Sequence, residues 1–349
     1  MTSIETDNEF IKKIKIYYHQ MVHIPLMLTN LKSEFPQYFI GNVINFRDFK
    51  ELQEKINSEI AVDLSRPTNA YCLKFLKMVI DTVESQKLEV NDTLLDNFMQ
   101  LFSAGSSSTS SDNNECYKSY CIRDNQWVTV KNETAFNLVG MTTWGAAYQL
   151  SDFILGNKHL FENKRILELG SGTGLIGLVL KFISNLKSVV LTDYSPKVLY
   201  NLRDNLLLNN IQCTDSIDLE INENPKEVDE NIFKVRLFDW EIPDIEHIDQ
   251  CLDLQSDIIL GADIVYEPSL CKYLVAILNR ILCNSTSSVA YISSTIRNEQ
   301  TFGIFKNEIK SFNNLIVEDI TSTANLLNPS PFIYDGSQIV LYKIYNKQL

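Results

Sequence analysis

One short stretch, residues 166–177, constrains the fold of this chain more than any other part of it. It reads Ile-Leu-Glu-Leu-Gly-Ser-Gly-Thr-Gly-Leu-Ile-Gly. An apolar run breaks into glycines at alternate positions and then resumes at helical spacing, which predicts a strand, a tight turn and a helix. Glycines let a ligand approach the backbone of such a turn, and the free N–H groups of the next helix point toward that ligand. The stretch therefore predicts a nucleotide-type pocket.

The type of nucleotide depends on two acidic residues. The spacing Gly172-Thr-Gly174-Leu-Ile-Gly177 also satisfies the dinucleotide pattern GxGxxG, which is weak evidence by itself. Glu168, at the end of the predicted strand, would repel a pyrophosphate but suits a ligand with an ammonium and a sulfonium group, such as S-adenosylmethionine. Asp193 ends the next apolar run, where a carboxylate accepts hydrogen bonds from the ribose hydroxyls of either cofactor. The alternatives are a surface charge at Glu168 and a helix N-cap at Asp193.

Composition and charge exclude several classes of protein. The chain has 349 residues, enough for one large or two ordinary domains. Its net charge of −13 argues against broad affinity for nucleic acids or anionic membranes and favours a partner with a basic face. The first ten residues are polar and acidic, unlike a signal peptide. Seven cysteines without CxxC pairs fit the reduced thiols of the cytosol or nucleus, so we expect a cytoplasmic protein.

The N-terminal part of the chain differs in character from the rest. Residues 1–102 carry apolar side chains at helical spacing, which predicts a helical N-terminal domain. His19 and His23 stand four residues apart, as zinc ligands do, but no third ligand is near, so we predict no metal site. The tract 103–114 is polar and rich in serine, which predicts a linker. Residues 115–349 form the second predicted domain, beginning with a β-hairpin.

Strands and helices alternate through this second domain. The predicted strands that matter for the fold are residues 165–169, 189–193, 233–238, 257–262, 289–294, 315–320 and 338–345. The last two are expected to form an antiparallel pair. This alternation indicates an α/β sheet with helices on both faces.

Five more residues stand at places where such a sheet binds ligands. Trp144 begins a predicted helix, Asp239 and Trp240 follow one strand, and Asp263 and Tyr266 follow another. Because parallel strands place ligands beyond their carboxyl ends, these side chains are expected around one pocket. Asp239 would then bind the amine of an adenine ring stacked on Trp240. Plainer interpretations remain: packing aromatic residues, a turn acid, and a helix cap at Asp263.

Four of these signals, in this order and spacing, resemble those of the seven-strand S-adenosylmethionine-dependent methyltransferases. They are Glu168-Leu-Gly-Ser-Gly-Thr-Gly174, Asp193, Asp239-Trp240 and Asp263-Ile-Val-Tyr266. Within that group the chain resembles the family 16 protein-lysine methyltransferases, whose marks are Trp144-Gly-Ala-Ala and an Asp-x-x-Tyr sequence. The helical N-terminal part and Ile296-Arg297-Asn298 are most similar to the branch that acts on elongation factor 2. The resemblance implies a Rossmann-like sheet beside an N-terminal helical domain.

The resemblance also implies an activity and roles for single residues. The protein would transfer a methyl group from S-adenosylmethionine to a lysine of a translation factor, elongation factor 2. We expect it to be a monomer. Asp263 and Tyr266 would face the incoming lysine. The residues implied in cofactor binding are Trp144, Glu168, Gly170, Ser171, Gly172, Asp193, Asp239, Trp240 and Ala262. The competing hypotheses are a NAD-dependent oxidoreductase and a non-catalytic assembly protein that binds a translation factor.

Overall fold

The chain divides into two compact units, residues 1–135 and residues 136–349, in a computed structural model. The structure describes residues 3–41, 43–45, 49–56, 58, 67–107, 115–123, 125–133, 139–216, 232–241, 255–284 and 287–347. Positions 108–114 of the predicted linker lie outside these residues. The predicted division into a helical and a catalytic domain stays a prediction.

The first unit is mainly helical. Its helices are α1 (Ser3–His19), α2 (Ile24–Glu34), α3 (Phe49–Lys55), α4 (Asn69–Ser85) and α5 (Asp92–Ser107), and its strands are β1 (Phe39–Ile40), β2 (Val43–Ile44), β3 (Glu115–Arg123) and β4 (Gln126–Glu133). The strands form two antiparallel pairs, β1 with β2 and β3 with β4. His19 packs edge-on against Trp127, with 5.5 Å between ring centroids. α5 runs five residues into the predicted linker, because each residue added to a helix gains a backbone hydrogen bond.

The second unit contains the alternating elements that the sequence predicts. Its helices are α6 (Gly145–Gly156), α7 (Lys158–Phe161), α8 (Leu175–Leu180), α9 (Pro196–Leu208), α10 (Cys271–Cys283) and α11 (Glu299–Ser311). Its strands are β5 (Arg165–Leu169), β6 (Ser188–Asp193), β7 (Cys213–Ser216), β8 (Phe233–Leu237), β9 (Ile258–Ala262), β10 (Val289–Thr295), β11 (Leu315–Asp319) and β12 (Ile339–Asn346). No helix among the described residues is both long enough and apolar enough to span a bilayer.

These strands form one eight-stranded sheet in the order β11-β12-β10-β9-β5-β6-β8-β7. The strands from β10 to β7 are parallel, and β12 is antiparallel to β10 and β11. The predicted α/β, Rossmann-like sheet with a terminal antiparallel pair is therefore confirmed. β7 is one strand more than the seven predicted. Its sequence Cys-Thr-Asp-Ser lacks an apolar run because it is an edge strand, so hydrophobic patterning does not reveal it.

Helices cover both faces of the sheet, as strand alternation requires. On β10, Ala290 and Ile292 join the core that α10 and α11 form on one face. Ser293 points to the other face, where its hydroxyl donates to the side chain of Gln149 on α6 at 2.9 Å. The carboxyl ends of the parallel strands thus lie at one edge, between helices of both layers.

The segment 320–338, between β11 and β12, is hydrogen-bonded to Asp152 of α6. The backbone N–H of Leu327 donates to the carbonyl oxygen of Asp152 at 3.0 Å. The hydroxyls of Ser330 and Tyr334 donate to its Oδ2 at 2.6 and 2.5 Å. Burial raises the pKa of this carboxyl to about 6.

Candidate active site

A cavity of about 500 Å³ opens at the carboxyl edge of the parallel strands. Every residue that the sequence predicts for the cofactor or the acceptor lines it: Trp144, Glu168, Gly170, Ser171, Gly172, Asp193, Asp239, Trp240, Ala262, Asp263 and Tyr266. They come from the ends of β5, β6, β8 and β9 and from the start of α6. Their convergence follows from parallel pairing, because strands that run together also end together.

The glycine turn after β5 is built for close approach. Gly170 and Gly172 have φ angles of 65° and 52°, in the left-handed region that side chains with a Cβ rarely adopt. A Cβ on Gly170 would lie 2.8 Å from Cγ2 of Ile264 and 3.5 Å from the ring of Trp240. Glycine is therefore required at position 170 for both conformation and space.

Gly170→Ala is expected to lower the free energy of unfolding by about 1–3 kcal/mol, since alanine is strained at positive φ and its methyl group displaces Ile264. Gly303→Ala is the matched control. Gly303 lies inside α11 with no atom within 4 Å of an added Cβ, so alanine there is expected to be neutral or to stabilise by up to about 1 kcal/mol. Urea unfolding followed by circular dichroism measures both. Equal midpoints for the two variants would contradict this account of the turn.

Glu168 is a buried carboxyl with an unmet hydrogen-bonding requirement. Its side chain is 1% exposed, and Oε2 has no hydrogen-bond partner among the described residues. Burial, which outweighs a hydrogen bond from Ser171 and is reinforced by the neighbouring charge of Asp193, raises the pKa of this carboxyl to about 8. Buried polar atoms are almost always paired, so an unpaired carboxyl oxygen on a cavity wall fits a ligand that brings a cation. The surface-charge alternative for Glu168 is wrong, because the side chain is buried.

Asp193 ends β6 on the adjacent wall of the cavity. Its two carboxyl oxygens accept from the backbone N–H groups of Gly172 and Ser195, each at 3.2 Å. Burial raises the pKa of Asp193, and these backbone donors oppose that effect. The side chain thus links the glycine turn to the segment before α9, and each oxygen keeps acceptor capacity for a ligand hydroxyl.

Two tryptophans line the cavity. Trp144 immediately precedes α6 and is 39% exposed, and its Nε1 donates to the carbonyl oxygen of Val139 at 3.0 Å. Trp240 is partly buried and packs against the core of the sheet while its ring edge faces Gly170. Beside it, Asp239 accepts from the N–H of Glu241 at 2.9 Å. The packing and turn roles considered for these residues therefore coexist with their place on the cavity wall.

Asp263 follows β9 with a φ of 56° and a side chain only 5% exposed. Its carboxylate accepts from the N–H and the hydroxyl of Thr295 at 2.7 and 3.1 Å, and from a guanidinium nitrogen of Arg297 at 3.0 Å. Asp263 does not cap the next helix, which was its alternative role: a 3-10 turn, Pro268–Leu270, precedes α10, and Glu267 caps this turn by accepting from the N–H of Ser269 at 3.4 Å.

Tyr266 lies at the opening of the cavity. Its side chain is 46% exposed, and partial burial together with the nearby acidic groups raises the pKa of its hydroxyl. The cavity is also lined by three exposed polar residues that the sequence pattern does not single out: Tyr194, Glu241 and Glu267. Each of them directly follows a residue that the sequence predicts for the site, and this position in the chain is the one sequence signal that points to them.

Comparison with known proteins agrees with this geometry. The model of the family described as "Lysine methyltransferase" matches residues 122–312. An uncharacterized protein of Dictyostelium discoideum is 52% identical, with 98% of both chains covered. The protein-lysine N-methyltransferase EEF2KMT of Homo sapiens is 28% identical, covering 70% of this chain and 71% of its own.

A fungal relative shows the same relationship. The protein-lysine N-methyltransferase EFM3 of Chaetomium thermophilum is 28% identical, covering 68% of this chain and 72% of its own. The family match takes in β5 to β10 and the cavity-lining ends of those strands. By that match, which spans more than half of its length, this chain belongs to the lysine methyltransferase family.

Proposed function

We propose that this protein transfers a methyl group from S-adenosylmethionine to a lysine side chain of a translation factor, elongation factor 2. The observation that carries the proposal is the buried, unpaired carboxyl of Glu168 on the wall of the same cavity as Asp263 and Tyr266. A buried carboxyl at that depth suits a cationic ligand, with which it pairs by ionising, and offers no positive group to a pyrophosphate, which counts against a nicotinamide dinucleotide.

The residues present fit this cofactor. Glu168 would bind the ammonium of the methionine part, and Asp193 would accept from the ribose hydroxyls. Trp240 would stack on the adenine ring, whose amine would donate to Asp239. The remaining residues proposed to contact the cofactor are Trp144, Gly170, Ser171, Gly172 and Ala262. When bound, the cofactor supplies a methyl group on a positively charged sulfur, ready for in-line displacement.

The acceptor side of the cavity consists of Asp263 and Tyr266. The bonds from Thr295 and Arg297 occupy three of the roughly four acceptor positions of the Asp263 carboxylate, which leaves capacity on Oδ1. We propose that Asp263 receives the lysine ammonium there and orients the amine after its proton leaves to solvent. Tyr266 walls the channel, and its hydroxyl oxygen accepts from an N–H of the amine, which leaves the nitrogen lone pair free to attack the methyl group. Orientation and exclusion of water then account for most of the rate enhancement.

The choice of substrate rests on charge and on family resemblance. A net charge of −13 favours a partner with a basic face, and the resemblance names elongation factor 2. The remaining parts of the proposal are a cytoplasmic monomer with residues 1–102 as a domain that docks the substrate. Removing residues 1–102 and finding full activity on intact elongation factor 2 would overturn the docking role.

The decisive experiment is incubation of the purified protein with labelled S-adenosylmethionine and purified elongation factor 2, followed by mass spectrometry of the products. The expected result is a methylated lysine on elongation factor 2. No label on elongation factor 2, with label on a different protein when a cell extract replaces it, would reject this substrate and keep the chemistry. Cofactor binding without any methylated product would favour the non-catalytic assembly role.

Cofactor affinity is expected to depend on pH through Glu168. In the ligand-free protein this carboxyl keeps its proton up to about pH 8, since burial raises its pKa. Binding a ligand ammonium requires the ionised form, so binding releases one proton below that pH. The dissociation constant is therefore expected to fall about tenfold per pH unit between about pH 6 and 7.5.

Calorimetry in buffers of different ionisation enthalpy measures both the affinity and the released proton. The variant Glu168→Gln, which cannot ionise, is the control and should bind weakly with no slope from this position. An affinity for the wild-type protein that stays constant from pH 6 to 7.5 would contradict the proposed pairing.

A further inference from the structure

Arg297 contacts two residues that line the cavity, Asp263 and Trp144. One of its guanidinium nitrogens lies 3.0 Å from Oδ2 of Asp263, and its guanidinium carbon lies 4.8 Å from the centre of the Trp144 ring. Asp263 follows β9, whereas Trp144 immediately precedes α6. A single side chain thus joins a residue proposed to face the lysine to one proposed to contact the cofactor.

The two contacts use properties that only a guanidinium combines. Its planar face stacks on an aromatic ring while its N–H groups donate in the plane to a carboxylate. The Arg297 side chain is 48% exposed, whereas that of Asp263 is 5% exposed. Arg297 therefore contacts the Asp263 carboxylate and the Trp144 ring from the side that faces solvent, and it is not part of the packed core.

The side chains of Asp263 and Trp144 have few other contacts that fix their positions. Asp263 is at a positive φ of 56° in the loop after β9, and apart from Arg297 its carboxylate is held by one of the described residues, Thr295 at the end of β10. Trp144 is more than one-third exposed, and its indole Nε1 donates to the carbonyl oxygen of Val139. Without Arg297, the carboxylate would keep only its bonds to Thr295, and the outer face of the indole ring would be open to water.

We propose that Arg297 is a positioning residue that holds the Asp263 carboxylate and the Trp144 ring in the arrangement needed for methyl transfer. The inference rests on the proposed function, because the arrangement matters only if a lysine enters beside Asp263. Pairing with Arg297 also leaves the Asp263 site close to neutral, so an entering ammonium is held less tightly and gives up its proton more readily.

The test compares Arg297→Met and Arg297→Lys with the matched control Arg203→Met. Arg203 has the same kinds of contact outside the cavity, since its guanidinium lies 5.1 Å from the ring of Tyr200 and pairs with Asp204 at 3.3 Å. Arg297→Met is expected to lower kcat on elongation factor 2 about 100-fold, as a loss of alignment does, with the Kd for S-adenosylmethionine within about threefold of the wild-type value. Arg297→Lys should recover part of the loss, since it restores the charge but not the stacking. Arg203→Met should keep the wild-type kcat.

A second measurement reports the contact without catalysis. The chain has three tryptophans, and in a variant carrying Trp127→Phe and Trp240→Phe only Trp144 remains. Arg297→Met should increase quenching of its fluorescence by acrylamide, because the ring loses its cover. Unchanged quenching would overturn the contact.

The outcomes separate this inference from the function on which it rests. A stable Arg297→Met variant with kcat near the wild-type value would overturn the positioning role and leave methyl transfer intact. An equal loss of cofactor affinity and kcat would make Arg297 a cofactor-binding residue and reject the inference. A wild-type protein that binds the cofactor and methylates nothing would reject both.

Discussion

Replacing Glu168 by glutamine is expected to weaken S-adenosylmethionine binding about 100-fold and, at the same time, to stabilise the ligand-free protein. The loss of affinity follows from the removal of a buried charge that faces a ligand ammonium, an interaction of about 3 kcal/mol. Glutamine keeps the size of the side chain, so the shape of the cavity is preserved. Few substitutions in a binding site are expected to improve folding, and this one does because the wild-type carboxyl is buried with one oxygen, Oε2, unpaired.

The gain in stability has a definite pH dependence. Burial raises the pKa of Glu168 from 4.5 to about 8, so the folded state favours the neutral acid. The stability that the neutral form contributes is complete below pH 4.5 and is lost as the pH rises toward 8. At pH 7 the wild-type protein is therefore less stable than a neutral equivalent by about 3 kcal/mol. Glutamine removes this penalty, and the difference between the two proteins should vanish near pH 4.

Asp152→Asn is the matched control for this substitution. Asp152 is also buried, also has an unpaired carboxyl oxygen and also has a raised pKa, but it lies on α6 outside the cavity. Its replacement should leave the cofactor affinity unchanged. Calorimetry gives the affinities, and urea unfolding at pH 4 and pH 7 gives the stabilities. Glu168→Gln with wild-type affinity would remove the main support for S-adenosylmethionine as the ligand.

The parts of this site that the sequence predicts are those that depend on local pattern and strand direction. Glu168 and the glycines are recognisable because a strand, a turn and a helix lie next to one another in the chain. Asp193 and Asp263 are predictable because each ends an apolar run, and parallel strands bring their carboxyl ends to one edge. These residues can therefore be predicted without knowing how distant segments of the chain pack together.

Contacts between distant loops are what sequence patterns do not reveal. Arg297 reaches Asp263 and Trp144 only after β9, β10 and α6 have assembled, and nothing in the residues around Arg297 indicates either partner. The same holds for Gly156, where a Cβ would lie 2.4 Å from the carbonyl oxygen of Asn325. The requirement for glycine there comes from a segment far along the chain. Long-range fit of this kind has no periodicity from which to predict it.

Asp263→Asn is expected to lower kcat on elongation factor 2 by about 100- to 1000-fold while the Kd for S-adenosylmethionine stays near the wild-type value. Asparagine tolerates the positive φ of 56° and can still accept from the N–H of Thr295, so the loop after β9 should keep its shape. What disappears is the negative charge that would receive the lysine ammonium. Alanine is the poorer choice, because it would leave the N–H of Thr295 without its acceptor.

Asp257→Asn is the control for this variant, since Asp257 and Asp263 flank the same strand. Asp257 precedes β9 and pairs with Arg165, whose Nε lies 3.3 Å from its Oδ2, just as Asp263 pairs with Arg297 at the other end. Its loss should reduce stability and leave kcat unchanged. If Asp263→Asn instead abolishes cofactor binding, Asp263 is a cofactor or folding residue. If it keeps wild-type turnover, Asp263 has no part in the transfer.

A double-mutant cycle connects Asp263 with Arg297 and tests whether they act on the same step. If Arg297 works by holding the Asp263 carboxylate, removing the guanidinium matters little once that carboxylate is gone. The variant carrying both Asp263→Asn and Arg297→Met should then have nearly the kcat of Asp263→Asn alone. If the two reductions in kcat instead multiply in the double variant, the residues act independently, and Arg297 works through Trp144 and not through the acceptor carboxylate.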